Sequence, residues 1–327
     1  MSIDGFPRPK QVTRVEAPPD VPQELPVTTG GIESGPKASI TLPVARELLA
    51  ERFEKTTDPD NQLPYHNTEH TEGVVRRALR IAEALGATER ETELITLAGS
   101  FHDTVQDWEE QELPGGQVKR KRLVERNEAA SADEAEAYMR QSSRNYTDEE
   151  VALVRKAITA TIPGFDMAIR TVVQPKHNLK ASNIERAVAL ADIGTAGMEP
   201  EVYATEGTKL FAEENLDITR AIRVAGSPDA IPESVQASYL KRYQGWMAFQ
   251  VDFANGRRDD TFSNFIEYYG ITKDPERGEK MRKLFDNFEK SVELATKNAK
   301  EASNLSFEEF AKRMVPDAFS KRETAST

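Results

Sequence analysis

The stretch TERETELITLAGSFHD, Thr88–Asp103, opens on a helix-start signature and closes on a His-Asp pair. Thr88 followed three residues later by Glu91 fits a capping box, in which hydroxyl and carboxylate each satisfy a backbone N–H at the helix start. Leu94, Leu97, Ala98 and Phe101 then recur at the spacing of one helical face. The same signature stands at Thr147-Asp148-Glu149-Glu150, Ser182-Asn183-Ile184-Glu185 and Ser306-Phe307-Glu308-Glu309, each ahead of apolar residues at helical spacing. Further helices are predicted over Val44–Phe53, Val74–Leu85 (ended by Gly86), Val235–Ala254 (ended by Gly256) and Met281–Ala295. Period-two alternation is nearly absent, so the fold is predicted to be all-α.

Residues 1–40 are rich in proline and poor in periodic apolar positions, and read as a disordered or extended leader. Residues 41–316 read as one helical domain and 317–327 as a polar tail. Deleting residues 1–38 is expected to leave folding and metal content unchanged, because that segment lacks the apolar content of a core. A large fall in melting temperature on truncation would show it to be docked. Two irregular stretches interrupt the helices. LPGGQ (113–117) marks a turn through its glycine pair, and 163–178 contains a cluster, Ile169–Val173, that fits either a strand or a packed loop.

The formal net charge is −12 and the pI about 5.1. Such a chain repels nucleic acid and anionic membranes, which argues against general nucleic-acid binding. A small anionic substrate remains compatible if a bound metal reverses the local field. The absence of cysteine excludes disulfides, zinc–thiolate sites and thiol nucleophiles. No apolar signal core stands at the amino terminus, and no apolar run approaches the ~20 residues of a membrane span. A cytoplasmic protein is expected.

Three of the chain's 4 histidines fall close together: His66 and His70 in YHNTEH, and His102 before Asp103. His66 and His70 are one turn apart if that segment is helical, which would point both imidazoles at one spot. Such pairs also occur on helices that bind nothing. Asp192 adds weight, because it is the one carboxylate in the apolar run Ala187–Ile193. An ionised carboxylate buried there needs a partner. The nearest arginine, Arg186, is six residues away, so the partner is a helix cap, a distant arginine or, as the better candidate, a metal. Nitrogen and oxygen ligands without sulfur suit one divalent transition metal, Mn, Fe, Co, Ni or Zn, and suit Mg less well.

The order His…His-Asp…Asp resembles the HD-domain superfamily of metal-dependent phosphohydrolases, whose fold is a helical bundle. YHNTEHTEGVV is similar to the YHNxxH element of cyclic-nucleotide phosphodiesterases and of a smaller bacterial HD group. FHDTVQD with RNEAASADEAEAYM resembles that group's FHDxVYD…NEExSA pattern, and LADIGTAG its DADLxxLG. The likeness covers about residues 65–197. It implies that His70, His102, Asp103 and Asp192 hold the metal, and that His66, at the place of the phosphodiesterase proton donor, protonates the leaving oxygen. The additional histidines of two-metal members find no match, which favours a single-metal site; His177, in the 163–178 loop, is expected at the surface.

Glu128 of RNEAAS is the candidate to hold or deprotonate the attacking water, its alternative being an ordinary solvated helix residue. Lys119–Arg122 could reach a nucleotide phosphate, or simply begin a solvated helix. The expected function is hydrolysis of a phosphoester in a small molecule, with a nucleotide as the expected substrate. The alternative is a non-hydrolytic HD domain that binds a nucleotide or partner protein as a regulator.

Overall fold

The computed structural model describes residues 41–262, 266 and 274–319. The expected leader, and the tail beyond Phe319, lie outside them. All four capping boxes form. At Thr88 the hydroxyl accepts the Glu91 N–H at 3.2 Å, while the Glu91 carboxylate accepts the Thr88 N–H at 2.8 Å. Helices dominate the described chain: α1 (Pro43–Leu49, continued by a π turn to Glu54), α2 (Thr68–Leu85) and α3 (Glu89–Phe101), then α4 (Arg126–Gln141) and α5 (Asp148–Thr159). After these come α6 (Asn183–Asp192), the single turn α7 (Thr195–Met198), α8 (Pro200–Glu214), α9 (Leu216–Ala225) and α10 (Glu233–Thr261). The last are α11 (Pro275–Leu284), α12 (Phe288–Ala302) and α13 (Phe307–Met314). No helix among the described residues is long and apolar enough to cross a membrane.

Several boundaries differ from expectation. The helix expected over Met281–Ala295 is two, α11 and α12, broken at Phe285–Asn287. Lys119–Arg122 begins no helix. It lies in β2 (Gln117–Arg122), antiparallel to β1 (Trp108–Leu113) across the Gly115-Gly116 turn. In the 163–178 loop, β3 (Gly164–Asp166) pairs antiparallel with β4 (Thr171–Val173), so its apolar cluster does contain a strand.

Gly86 ends α2 as expected, in the left-handed region at φ 67° that favours glycine. Gly256 does not end α10; the helix passes through it, because this face lies against the β3–β4 hairpin. A Cβ there would collide with the Ile169 carbonyl oxygen and lie 2.7 Å from the Thr171 Cβ. Gly256→Ala is therefore expected to destabilise the protein by about 1–3 kcal/mol, the usual cost of overpacking. Urea unfolding checks this, and an unchanged midpoint would mean that the hairpin moves aside freely.

Two bodies of packing position the site. Helices α2, α3 and α6 pack on one another, burying Val74, Val75, Ile81, Leu94, Ile95, Phe101, Val188 and Leu190. Each such side chain stabilises by roughly 1.5–3 kcal/mol relative to exposure. A second cluster, including Phe211, Ile218, Ile222, Tyr243, Met247 and Phe310, anchors α8, α9, α10 and α13. It fixes α8, which supplies two carboxylates to the site.

Candidate metal centre

Asn67 caps α2, its side-chain oxygen accepting the His70 N–H at 3.1 Å while its amide donates to the Pro64 carbonyl at 3.0 Å. His70 thus stands in the first turn of α2. His66 precedes the cap, so the two imidazoles do not share a helix face; the Tyr65–Asn67 turn instead brings their ring centroids to 5.9 Å.

His102 directly follows α3. Its Nδ1 lies 2.8 Å from the Gly99 carbonyl oxygen. A carbonyl only accepts, so Nδ1 carries the proton and the neutral ring presents a lone pair at Nε2. Asp103 comes next along the chain. Asp192 is the last residue of α6, and its Oδ2 accepts a hydrogen bond from Gln174 Nε2 at 3.2 Å. No arginine hydrogen-bonds to it among the described residues. Arg186 instead donates to the carbonyls of Leu179 and Ala181 at 2.8 Å.

These four side chains converge. His70 Nε2 is 3.4 Å from Asp103 Oδ2 and 3.6 Å from Asp192 Oδ1; His102 Nε2 is 3.1 and 3.6 Å from the same atoms. One ligand atom from each residue lies within 4.8 Å of all the others. Both Nε2 atoms are buried, yet neither makes a hydrogen bond, a state that costs about 1–3 kcal/mol for each such group. Atoms about 2.1 Å from one ion stand about 3.0 Å apart as neighbours in an octahedron and about 3.4 Å apart in a tetrahedron. Two of the nitrogen–oxygen spacings, 3.1 and 3.4 Å, fall in that range, and the two to Asp192, at 3.6 Å, lie slightly beyond it. The four residues are close enough to hold a metal ion, and their nitrogen and oxygen donors fit a divalent one.

The electrostatics agree. Burial disfavours charge on His102, but Asp103 and Asp192 outweigh it and hold its pKa up at about 9. Burial likewise opposes the charged form of His70, whose pKa is nevertheless held well above its ordinary value by Asp103, Asp192 and Glu206. Burial would raise both aspartates, yet the imidazoles keep them well below the usual carboxylate range. Such a field favours a cation at the centre.

Helix α8 brings two carboxylates that sequence reasoning missed. Glu206 Oε1 is 3.8 Å from His70 Nδ1, the nitrogen turned away from the aspartates. Glu213 Oε1 is 2.5 Å from His66 Nδ1, and its Oε2 accepts the backbone N–H groups of Tyr65 and His66, each at 3.1 Å. Burial pushes the Glu213 carboxyl up, but the His66 side chain and N–H overcome this and set it at about 2. Glu213 is therefore an ionised, buried carboxylate that clamps the His66 ring and its turn. Glu199, Glu206 and Glu213 recur every seven residues, two turns of one helix face. That signal points nowhere until the face it lines is known.

Glu128 is buried, which removes the reading as a solvated helix residue. Its Oε2 accepts the Glu125 N–H at 2.6 Å, and burial raises its pKa. Arg122 Nη2 stands 3.8 Å from both Glu128 Oε1 and Asp103 Oδ1, which sets Glu128 one guanidinium away from a ligand. His66 is not part of the ligand cluster. His177, expected at the surface, is buried beneath its loop, and burial followed by Arg186 and Arg257 lowers its pKa to about 3. It does not join the ligand set.

Comparison of the chain with protein-family models, with curated proteins and with solved structures found no match.

Proposed function

We propose that this protein is a metal-dependent phosphohydrolase of the HD type, a helical bundle acting on a phosphoester in a small molecule, with a nucleotide as the favoured substrate. The observation that carries the reading is the conjunction at one centre of four convergent donors and a separate imidazole–carboxylate pair. Ligands alone would suit a structural or regulatory ion. A histidine outside the ligand set, held on Nδ1 by a buried carboxylate, is what proton transfer requires. The likeness of YHNTEH, FHDTVQD and LADIGTAG to HD motifs supports the same reading.

Bound by His70, His102, Asp103 and Asp192, a divalent Mn, Fe, Co, Ni or Zn ion supplies Lewis acidity toward water and the phosphoryl oxygens. The chain's own groups do the rest. Glu128, its carboxyl raised by burial, takes the proton of the attacking water. Glu213 accepts from His66 Nδ1–H, so Nε2 is the atom that exchanges protons. As the water oxygen bonds to phosphorus and the bond from phosphorus to the leaving oxygen breaks, the leaving oxygen takes a proton from His66 Nε2. Glu128 then releases the water's proton to solvent and His66 is reprotonated. The test is a hydrolysis screen of nucleotides and nitrophenyl phosphoesters with each metal, reading phosphate or nitrophenolate release. No turnover with any metal, alongside nucleotide binding, would replace this reading with that of a regulatory module.

A further inference from the structure

Arg122, the last residue of β2, is held beside the metal ligands without a close partner. Its Nε–H is fully buried and makes no hydrogen bond. Its Nη2 stands 3.8 Å from the oxygens of Asp103 and Glu128, beyond hydrogen-bond reach. Nε and Nη2 form one edge of the guanidinium, with two parallel N–H donors. The same edge of Arg90 grips Glu150 in two bonds of 2.6 and 2.8 Å, showing what such an edge does when a paired oxyanion is present. The two basic residues just before it are engaged elsewhere, Arg120 Nε on the Glu213 carbonyl and Lys121 on Glu109.

Charge balance gives that edge a purpose. Asp103, Asp192, Glu128, Glu206 and Glu213 crowd the centre, in a chain of net charge −12. A phosphoryl group with two or three anionic oxygens meets this field, and one divalent ion offsets only part of it. We infer that Arg122 is a substrate-binding residue whose Nε–Nη2 edge takes two oxygens of the phosphoryl group beside the metal centre. A fork of parallel donors matches that geometry, as a lysine ammonium does not. The inference rests on the phosphohydrolase reading and adds to it the residue that recognises the anion.

The competing role is structural, with Arg122 serving only as counter-ion to Asp103 and Glu128. The two separate by titrating inorganic phosphate, in a calorimeter at fixed ionic strength, into the metal-loaded full chain and its Arg122→Lys and Arg122→Gln variants. Metal content and melting temperature are measured on the same samples. Arg122→Lys keeps the charge and loses the fork. It is expected to retain its metal and to bind phosphate about tenfold or more weakly, the worth of one hydrogen bond to a charged group. Arg122→Gln should bind more weakly still. Equal phosphate affinity in all three proteins overturns the inference while leaving the hydrolase reading intact. Loss of metal in step with loss of phosphate makes Arg122 a counter-ion. Absence of phosphate binding in the unaltered metal-loaded protein removes both this inference and the reading beneath it.

Discussion

His102→Ala is expected to empty the metal centre and weaken the fold in one step. The unaltered chain should bind about one divalent ion, since its described residues contain one cluster of four suitable donors. Removing His102 deletes a donor and leaves Asp103 Oδ2 and Asp192 Oδ1 without the nitrogen that stands 3.1 and 3.6 Å from them. The buried Asp103 and the half-buried Asp192 then share His70 alone, and losing a partner from such a cluster costs up to about 3–5 kcal/mol, the range for a buried charge pair. Elemental analysis after reconstitution, with melting temperatures of loaded and metal-free samples, checks both effects. One equivalent of metal retained by His102→Ala would remove this residue from the ligand set.

The same contacts dictate a pH dependence. His102 has a folded pKa of about 9, above the ~6.5 of an unfolded histidine. In metal-free protein its charge pairing is therefore fully present below about pH 6.5, and is lost as pH rises through 9. The proton involved sits on Nε2, because Nδ1 already donates to Gly99. A metal takes that same Nε2, so it competes with the proton and gains as the proton leaves. The gap in melting temperature between metal-loaded and metal-free protein should accordingly widen from pH 6.5 to 9. A constant gap would show that proton and metal do not share the atom.

What the sequence disclosed and what it hid divide along a physical line. Capping boxes and apolar periodicity are local, and at Thr88, Thr147, Ser182 and Ser306 they placed helix starts correctly. The hidden elements lack a local signature. β1 is exposed along its middle, and β2, though half-buried, is made mostly of basic residues, so no apolar alternation marks the hairpin. Its available signal was charge, with Glu109 facing Lys121 and Glu110 facing Arg120 across the glycine turn. Gly256 read as a helix end because its reason, the approach of Ile169 and Thr171, lies more than 80 residues away. Metal-ligand candidates were legible through residue chemistry: histidines are scarce in this chain, and a carboxylate in the run Ala187–Ile193 is conspicuous. Glu213 was not, because a glutamate near a helix end is ordinary until it is found 2.5 Å from an imidazole 147 residues away.

That pairing leads to the second large effect. His66→Ala is expected to retain its metal, because His66 lies outside the ligand cluster, while turnover of a natural nucleotide falls by roughly 10²–10⁴. With a nitrophenyl phosphoester the loss should be smaller, since nitrophenolate leaves with little protonation. Loss of metal equal to that in His102→Ala would make His66 a ligand and leave the acid unassigned. Glu213→Gln separates the orienting group from the donor. Its amide oxygen can still accept the Tyr65 and His66 N–H groups, but the negative charge facing His66 Nδ1 at 2.5 Å is gone. Turnover should fall by roughly 10–10², as for other groups that act by holding a functional histidine. Residues that act as one unit lose their effect together, so the double variant should be no slower than His66→Ala alone. Losses that multiply would mean that Glu213 acts on the substrate by a route of its own, and that His66 is not held in place for it.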